Sequence, residues 1–547
     1  MSFHRIYDTR EYKNFRTDFL NGLLKHQIDA LKVMSKQDRL TICMPTGTGK
    51  SRIIYADMLD NLERPEYETF VLASHRLLLN TQHFSELINL LETILPKLGI
   101  ILVGSQGIDI QDLQKNAQLN SRLAEQQLNY SDIISTGLSK RQIKEKVEHH
   151  HECGRDVIII TTYHSMDKLE DVDIHTLYCD EAHMLATPRD LSQFKNNFEK
   201  VKALRKYFFS ATPKNQNDGL LTDEEKKDVD NRVDIFLMDN EEIFGHRYGL
   251  PFKHAIDECL IVKPYVHVME LKKFKLQKNY LSYENFAYVV HSALEQHTKT
   301  LKDTSQCNAK ILIKCPSVDD VWGIWEELMK SDPKFKVFAG ANYSRPGMES
   351  SFYMNDQPIK DKVSFLKNLQ SLKADERAVI LHYDILSEGI DVPGITGVMF
   401  LSAQLPGKPK ILQTIGRSTR LLSIDRERVR SHEIAKNDYD KMIKPNCAVI
   451  LPVLSQEMNS QAKHITGLIV ALRDEGFKPE VIITPGEDTS SNAKEVINME
   501  ELNKLDKKKV KSETAKEIIH YIELYDQQKI IEVENGMITK NQPTLSY

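Results

Sequence analysis

The sequence predicts an α/β protein that folds as two tandem domains, each built around a parallel β-sheet. At 547 residues the chain is long enough for two or three domains, each with a buried core. Near-continuous apolar runs, as at residues 156–160 and 311–313, are typical of strands covered on both faces. Short polar sequences follow several of these runs. Parallel sheets bind ligands at the carboxyl ends of their strands, so these sequences are the candidate sites.

Composition excludes some classes of partner and compartment. The net charge is −5 and the isoelectric point is about 6.5, so no global field attracts nucleic acid or membranes and any such contact must be local. Seven cysteines are scattered without a C-x-x-C pair, which is typical of a reduced compartment. No apolar run reaches the ~18 residues of a membrane span, and residues 1–10 do not resemble a signal sequence. We expect a soluble cytoplasmic protein without a membrane partner.

The strongest motif is M-P-T-G-T-G-K-S at residues 44–51, between an apolar run and a helix-like stretch. Its glycines let backbone N–H groups face a phosphate, its lysine can reach the β- and γ-phosphates, and its serine hydroxyl can bind Mg²⁺. Met44 stands where the strict P-loop pattern has glycine. The motif predicts a nucleoside triphosphate site that consists of Thr46, Gly47, Thr48, Gly49, Lys50 and Ser51.

Two adjacent carboxylates, Asp180 and Glu181, follow another apolar run. Adjacent side chains at a strand end point apart, so Asp180 can hold Mg²⁺ through water while Glu181 orients and deprotonates the attacking water. The sequence S-A-T-P at residues 210–213 follows a further apolar run. Its hydroxyls, on Ser210 and Thr212, can hydrogen-bond the carboxylate pair and so couple nucleotide state to domain position.

In this order the motifs resemble those of superfamily 2 helicases and translocases, over roughly residues 20–455. The first sequence resembles motif I, D-E-A-H resembles motif II and S-A-T resembles motif III. E-G-I-D-V-P, which begins at Glu388, resembles motif V. Q-T-I-G-R-S-T-R, which begins at Gln413, resembles motif VI, although Thr414 replaces the family's first arginine. The resemblance implies two RecA-like P-loop domains that use ATP and Mg²⁺.

The resemblance also implies roles for residues outside motifs I and II. Gly389 and Asp391 contact the nucleotide, and Arg417 and Arg420, three residues apart on a helix face, reach the γ-phosphate as catalytic residues. Gln27, upstream of motif I, reads the adenine edge, or alternatively is an amide on a helix surface. The residues predicted to couple the nucleotide to domain movement are His183, Ser210, Thr212 and Gln413.

The implied partner is a nucleic acid. S-H-R at residues 74–76 resembles motif Ia, in which Arg76 contacts the phosphate backbone, unless it is a solvated loop arginine. Thr161 and Thr162, at the end of a predicted strand, are further contacts. The sequences of motifs II, V and VI resemble those of DNA translocases related to restriction-enzyme motor subunits, and of phage or mitochondrial DNA helicases, more than those of DEAD-box RNA proteins. DNA is therefore favoured over RNA.

Two alternatives stay open: an RNA helicase of the same fold, and a non-enzymatic nucleic-acid-binding scaffold with a decayed ATPase. The intact set of motif residues argues against decay. The C-terminal region contains no nuclease-like constellation of acid and lysine residues, so a nuclease or replication protein would be a partner subunit.

The motifs divide the chain into four predicted regions. Residues 1–240 form the ATP-binding domain, with an insertion at about 105–154, and residues 241–261 form a linker. Residues 262–455 form the second RecA-like domain, and residues 456–547 form a mainly helical accessory region. Within the insertion, a run of three histidines is predicted to be a solvated helix end, because consecutive side chains on a helix point about 100° apart and cannot converge on one metal.

Overall fold

The computed structural model describes most of the chain, and its described residues fall into two compact units. One unit is formed mainly by residues up to Leu250, and the other mainly by Pro251–Pro543. Among the described residues, no helix combines the length and apolar character that a membrane span requires. The described residues are 10–62, 66–75, 77–91, 97–104, 120–121, 123–124, 127–186, 193–215, 236–271, 282–304, 307–373, 375–383, 385, 392, 394–401, 408–454, 458–474, 476–477, 479–485, 495–498 and 510–534.

The first unit contains an eight-stranded sheet in the order β4-β3-β5-β2-β6-β7-β1-β8, and every neighbouring pair is parallel. β2, β3, β5 and β6 are buried along their whole length, as expected for strands covered on both faces. The strands are β1 Arg39–Cys43, β2 Thr69–Ser74, β3 Leu98–Val103, β4 Ile134–Thr136, β5 Asp156–Thr162, β6 Ile174–Asp180, β7 Ala203–Ser210 and β8 His246–Gly249.

Helices connect these strands and cover the sheet. A core that includes Ile159, Leu177 and Phe208 packs against the α-helix Lys140–Glu152 and the 3-10 helix Tyr163–Leu169. The described helices of this unit are Arg10–Asn21, Lys25–Met34, Lys50–Asn61, Leu77–Leu91, Tyr130–Ile133, Lys140–Glu152, Gln193–Glu199 and Glu241–Phe244, with 3-10 helices at Tyr163–Leu169 and Ala182–Met184.

The predicted linker at residues 241–261 is folded rather than extended. Its first part forms the helix Glu241–Phe244 and then β8, which pairs with β1. The Leu250 N–H donates to the Cys43 carbonyl at the end of β1 (2.8 Å), so β1 supplies hydrogen-bond partners to the backbone of this segment. The predicted insertion also contributes to the sheet, because its strand β4 pairs with β3 and forms the edge opposite β8.

The second unit contains a ten-stranded sheet in the order β13-β12-β11-β14-β10-β15-β16-β9-β17-β18. In the stretch β11-β14-β10-β15-β16-β9-β17 every neighbouring pair is parallel, as predicted. The antiparallel strands β12 and β13 extend one edge of this stretch, and the antiparallel strand β18 extends the other. The strands are β9 Lys263–Leu271, β10 Lys310–Lys314, β11 Lys336–Gly340, β12 Phe352–Met354, β13 Gln357–Pro358, β14 Ala378–His382, β15 Gly397–Phe400, β16 Asn446–Leu454, β17 Glu480–Pro485 and β18 Glu495–Asn498.

Two long helices, Tyr283–Thr304 and Val318–Lys330, cover this sheet. Trp322 of the second helix is fully buried in the core, and its indole N–H donates to the Tyr343 carbonyl (3.2 Å). The described helices of the unit are Phe252–Asp257, Tyr283–Thr304, Val318–Lys330, Lys362–Gln370, Lys408–Ser418, Ser423–Arg430, Met458–Asp474 and Glu513–Glu534, with a 3-10 helix at Tyr439–Lys441.

The described part of the C-terminal region is mainly helical, but it is continuous with the second unit. Its helices Met458–Asp474 and Glu513–Glu534 pack together. Its strand β17 pairs with β9, and the His267 imidazole of β9 lies 2.8 Å from the Thr484 hydroxyl. Because β9 would otherwise end the sheet, β17 supplies hydrogen-bond partners to an exposed edge. The boundary predicted at residue 455 therefore falls inside the second unit.

His150 departs from the prediction of a solvated histidine run, because its side chain is fully buried. It faces β3, where Gly99 permits the close approach: a Cβ at that position would lie 2.4 Å from the His150 ring. Burial lowers the pKa of His150 from 6.5 to about 3, and the positive charges of Lys146 and Arg155 act in the same direction. The folded protein therefore keeps this imidazole neutral.

We expect His150 to make the protein less stable in weak acid. The unfolded chain takes up a proton below about pH 6.5, whereas the folded chain does not until about pH 3. Stability is therefore undiminished above pH 7 and falls by roughly 1.4 kcal/mol per unit below pH 6.5, or about 2 kcal/mol at pH 5. Urea unfolding from pH 5 to 8 should show a smaller loss for His150→Leu than for wild type. The exposed neighbour His149→Leu is the control, and equal slopes for all three proteins would contradict the assignment.

Candidate active site

The carboxyl ends of β1, β6 and β7 meet at one edge of the first sheet. The register places Cys43 beside Ser210, and Asp180 beside Phe209. Three motifs that are far apart in sequence therefore begin at adjacent strand ends, which is where parallel sheets bind ligands.

The loop after β1 carries the features of a phosphate cradle. Gly47 and Gly49 have φ angles of 92° and 88°, which L side chains rarely adopt. A Cβ on Gly49 would also lie 2.3 Å from the Gln27 amide nitrogen, so both the backbone conformation and the lack of space require glycine at this position. The Lys50 amine, at the start of the helix Lys50–Asn61, donates to the Met44 carbonyl (3.2 Å).

Met44, which stands where the strict P-loop pattern has glycine, extends the pairing of β1. Its N–H donates to the Ser210 carbonyl (3.1 Å), so its backbone continues the pairing of β1 with β7, and its side chain is buried. Of the other loop residues, Thr48 is buried and its hydroxyl donates to the Pro45 carbonyl (2.8 Å), whereas Thr46 and Ser51 are partly exposed.

Gln27 is buried beneath this loop, with 1% of its surface exposed. Its carbonyl oxygen accepts from the Leu24 N–H (2.9 Å), and its amide nitrogen lies 3.5 Å from the Gly49 carbonyl. The alternative of an amide on a helix surface is therefore wrong. The role in reading adenine stays a prediction.

Asp180 is held through both carboxylate oxygens. Its Oδ2 accepts from His83 Nε2 (3.1 Å), and its Oδ1 accepts from the Glu181 N–H (3.0 Å). Burial by itself would raise the pKa of Asp180, but the hydrogen bond and charge of His83, together with the charge of Lys50, hold the pKa below its usual value. Asp180 is therefore an ionised carboxylate at neutral pH.

His83 belongs to a buried network that the sequence analysis did not find. Its Nδ1 lies 2.9 Å from the Tyr55 hydroxyl, which also donates to Glu86 (3.1 Å). Burial opposes protonation of His83, yet the Asp180 hydrogen bond and charge raise its pKa above the ordinary value. His83 and Glu86 are three residues apart on the helix Leu77–Leu91, and this spacing was the only sequence signal for the network.

Glu181 has a left-handed backbone conformation, with a φ of 53°. A non-glycine residue in this region costs roughly 1–2 kcal/mol, and such strain clusters at functional sites. The Glu181 carboxylate lies 3.5 Å from the His183 ring, whose Nδ1 lies 3.1 Å from the Ser210 hydroxyl. Ser210 in turn accepts from the Thr212 N–H (3.1 Å), so His183 links the S-A-T motif to Glu181.

Thr161 and Thr162 end β5, next to the end of β2. Thr161 is fully buried, and its hydroxyl donates to the Thr162 carbonyl (3.3 Å). The Thr162 hydroxyl donates to that of Ser165 (3.4 Å). Three residues of the predicted site lie outside the described residues: Arg76, Gly389 and Asp391.

The motif VI sequence of the second unit follows the prediction only in part. Gln413 and Arg417 lie on the helix Lys408–Ser418, but that helix ends before Arg420, so the two arginines do not share a helix face. The Ser418 hydroxyl donates back to the Ile415 carbonyl (2.8 Å), as does the Thr419 N–H (3.1 Å). The Thr419 bond continues the i→i−4 pattern of the helix by one residue, and the Ser418 hydroxyl shares the same acceptor.

The residues at the edge of the first sheet fit a magnesium–triphosphate ligand. A serine hydroxyl and an ionised carboxylate, Ser51 and Asp180, are the oxygen ligands that Mg²⁺ prefers, with phosphates and water completing its shell. Among the described residues, no group of three or more histidine, cysteine, aspartate or glutamate side chains could hold a metal alone.

Fold and site together define a P-loop protein with tandem α/β units. Residues 24–219 match the DEAD/DEAH box helicase family. For that part of the chain, the match agrees with the family that the ordered motifs predicted. A comparison with curated proteins found no match.

Solved structures that resemble this chain include three nucleic-acid complexes. The ATP-dependent Type ISP restriction-modification enzyme LlaBIII bound to DNA is 15% identical, with a TM-score of 0.53, and the match covers 85% of this chain and 29% of that chain. The Mycobacterium smegmatis helicase Lhr bound to ssDNA and AMP-PNP is 15% identical, with a TM-score of 0.49 and coverages of 85% and 50%. The S. cerevisiae Dbp5 bound to RNA and ADP BeF3 is 13% identical, with a TM-score of 0.46 and coverages of 86% and 95%. The chain thus spans less than a third of the length of LlaBIII.

Proposed function

We propose that the chain is an ATP-dependent DNA helicase or translocase. The observation that carries the proposal is the arrangement at the edge of the first sheet. Lys50 comes after β1, and the ionised Asp180 and the strained Glu181 stand at the end of β6, with only β7 between these two strands. This arrangement supports a role for all three residues in phosphoryl transfer to water.

Each residue of this edge has a distinct task. Backbone N–H groups around Gly47 and Gly49 hold the phosphates, and Lys50 contacts the β- and γ-phosphates. Ser51 and Asp180 would hold Mg²⁺, which would supply positive charge beside the transferring phosphoryl group. The Glu181 carboxylate orients the attacking water and accepts its proton.

The second unit supplies the residues that complete hydrolysis. Arg417 and Arg420 stabilise the γ-phosphoryl group, and Gly389 and Asp391 contact the nucleotide. The order of the motifs supports these assignments. Hydrolysis alternates two states of the domain pair and so moves the chain along a strand. The residues proposed to transmit this change are His183, Ser210, Thr212 and Gln413.

The proposed track is nucleic acid, and DNA is favoured over RNA. Arg76 and Thr162 contact the phosphate backbone, and Thr161 supports Thr162. DNA is favoured by the wording of the motif V and VI sequences, and the restriction enzyme LlaBIII, which shares the fold, is bound to DNA. A nuclease or a replication protein is the proposed partner subunit.

Steady-state ATP hydrolysis separates this proposal from its alternatives. We expect single-stranded or duplex DNA to stimulate hydrolysis more than RNA does at the same salt concentration. Lys50→Ala is the control for contaminating activity, because it removes the phosphate contact. Stronger stimulation by RNA would select an RNA helicase. A wild-type rate no higher than that of Lys50→Ala with every polymer would select a binding scaffold.

A further inference from the structure

Lys444 is a buried lysine that no recognised motif contains. It lies just before β16, which begins at Asn446, and only 1% of its surface is exposed. Its ammonium group donates to two main-chain carbonyls, those of Ser418 (2.6 Å) and Arg420 (2.7 Å). Both acceptors belong to the motif VI sequence, at the point where its helix ends.

These contacts satisfy groups that a helix terminus leaves open. The last carbonyls of a helix have no partner within the helix, and a cation near them interacts favourably with the helix dipole. The Val262 N–H donates to the Thr419 carbonyl (2.8 Å). Three consecutive carbonyls, at residues 418–420, are therefore each held by a donor from elsewhere in the second unit.

The lysine itself is anchored by the helix that follows motif VI. The Lys444 and Ile443 N–H groups donate to the two carboxylate oxygens of Asp425 (3.1 and 2.9 Å), and Asp425 is fully buried. Asp425 lies on the helix Ser423–Arg430. Lys444 thus connects the end of the motif VI helix to the start of the next helix, and Arg420 lies between them.

The burial of this amine is costly, which argues against an incidental position. Burial lowers the pKa of Lys444 from 10.5 to about 8; Cys447, Cys307 and Asp425 act against that shift. Lys310 also lowers the pKa. At neutral pH the side chain is therefore charged, and a charged donor forms stronger hydrogen bonds to carbonyls than a neutral one.

We propose that Lys444 is a positioning residue for Arg420: it holds the main chain of residues 418–420 so that the arginine is presented from one fixed backbone. The inference rests on the proposed function, in which Arg420 acts on the γ-phosphoryl group. Lys444 donates to main-chain carbonyls on both sides of Thr419. It affects the reaction only by fixing this stretch of main chain. A catalytic group that is displaced by about 1 Å can lose roughly 10²-fold in rate, so the fixed backbone matters to turnover.

Two variants and one control test the inference. Lys444→Met keeps the unbranched stem of the side chain but removes the ammonium donors, whereas Lys444→Arg keeps charge and donors. Lys441→Met changes an exposed lysine on the same segment, where it pairs with Asp438. Hydrogen exchange of a peptide spanning residues 411–422 reports on the helix end without any need for ATPase activity. The turnover number and the KM for ATP report on the reaction.

For Lys444→Met we expect faster exchange in that peptide and a turnover number reduced about 10- to 100-fold, with KM within about threefold of wild type. Lys444→Arg should recover most of the turnover, and Lys441→Met should match wild type. Should Lys444→Met fail to fold, Lys444→Gln, whose neutral amide is shorter than lysine and cannot reach both carbonyls, takes its place with the same expectations.

The two readouts separate failure of this inference from failure of the proposed function. Unchanged exchange in the folded variant would overturn the inference, whatever the rates. Faster exchange with a turnover within twofold of an active wild type would also overturn it, because the lysine would then be only a helix cap. A wild type without polymer-stimulated hydrolysis would instead overturn the proposed function, and with it the role given to Arg420.

Discussion

Glu181→Gln should reduce ATP turnover by about 10²- to 10⁴-fold while ATP affinity stays within a few-fold of wild type. The amide has the shape of the carboxylate but cannot accept a proton from water. Its backbone bond to Asp180 is unaffected, and glutamine tolerates the left-handed conformation no worse than glutamate does. The variant should therefore bind ATP and Mg²⁺ normally and remain in the ATP-bound state.

Phosphate release under single-turnover conditions measures the chemical step, and a fluorescent ATP analogue measures affinity. Glu170→Gln is a suitable control, since that glutamate pairs with Lys140 on the surface. If Glu181→Gln hydrolysed ATP within about tenfold of wild type, Glu181 would not be the general base. If it lost ATP affinity as well, the change would have disturbed Asp180.

Arg420→Ala should lose about 10³- to 10⁵-fold in turnover, equivalent to roughly 4–7 kcal/mol of transition-state stabilisation. The reason is that Lys50 and Arg420 are proposed to act at different stages of the reaction. Lys50, at the start of the helix Lys50–Asn61, is proposed to contact the phosphates of bound ATP, whereas Arg420 is proposed to meet charge that develops as the γ-phosphoryl group transfers. Nucleotide affinity and binding of the polymer should therefore change much less than turnover.

Arg420→Lys is the matched variant, because it keeps the charge but loses the planar fork of donors, and it should recover only a small part of the rate. Arg430→Ala, which removes a surface ion pair with Glu427, serves as the control. Hydrolysis by Arg420→Ala within about tenfold of wild type would contradict the catalytic role proposed for Arg420. Arg417, or an arginine from a partner subunit, would then be the candidate.

The local chemistry of the site could be predicted from sequence because it is encoded in contiguous stretches. Apolar runs marked the buried strands, and the polar residues directly after them had to lie at the carboxyl edge of a parallel sheet. That reasoning located the phosphate loop, the carboxylate pair and the S-A-T sequence, and their order indicated the helicase family. None of these steps needed a contact between residues that are distant in the chain.

Features formed by contacts between distant segments could not be predicted in this way. His83 reaches Asp180 from another helix, and Lys444 reaches the end of the motif VI helix from the loop before β16. Neither pair has a fixed spacing in sequence. The burial of His150 likewise depends on the absence of a side chain at Gly99 in a neighbouring strand.

The sequence by itself determined the two α/β units, the nucleotide loop and the types of side chain at its edge, because strand burial and turn geometry are local properties. Only the tertiary structure decided that β8 and β17 extend the two sheets and that Arg420 lies beyond the end of the motif VI helix. It also decided that His83 contacts the Asp180 carboxylate and that Lys444 contacts the Arg420 carbonyl. The physical reason is that a buried polar group must find a partner, and which partner is near is set by packing.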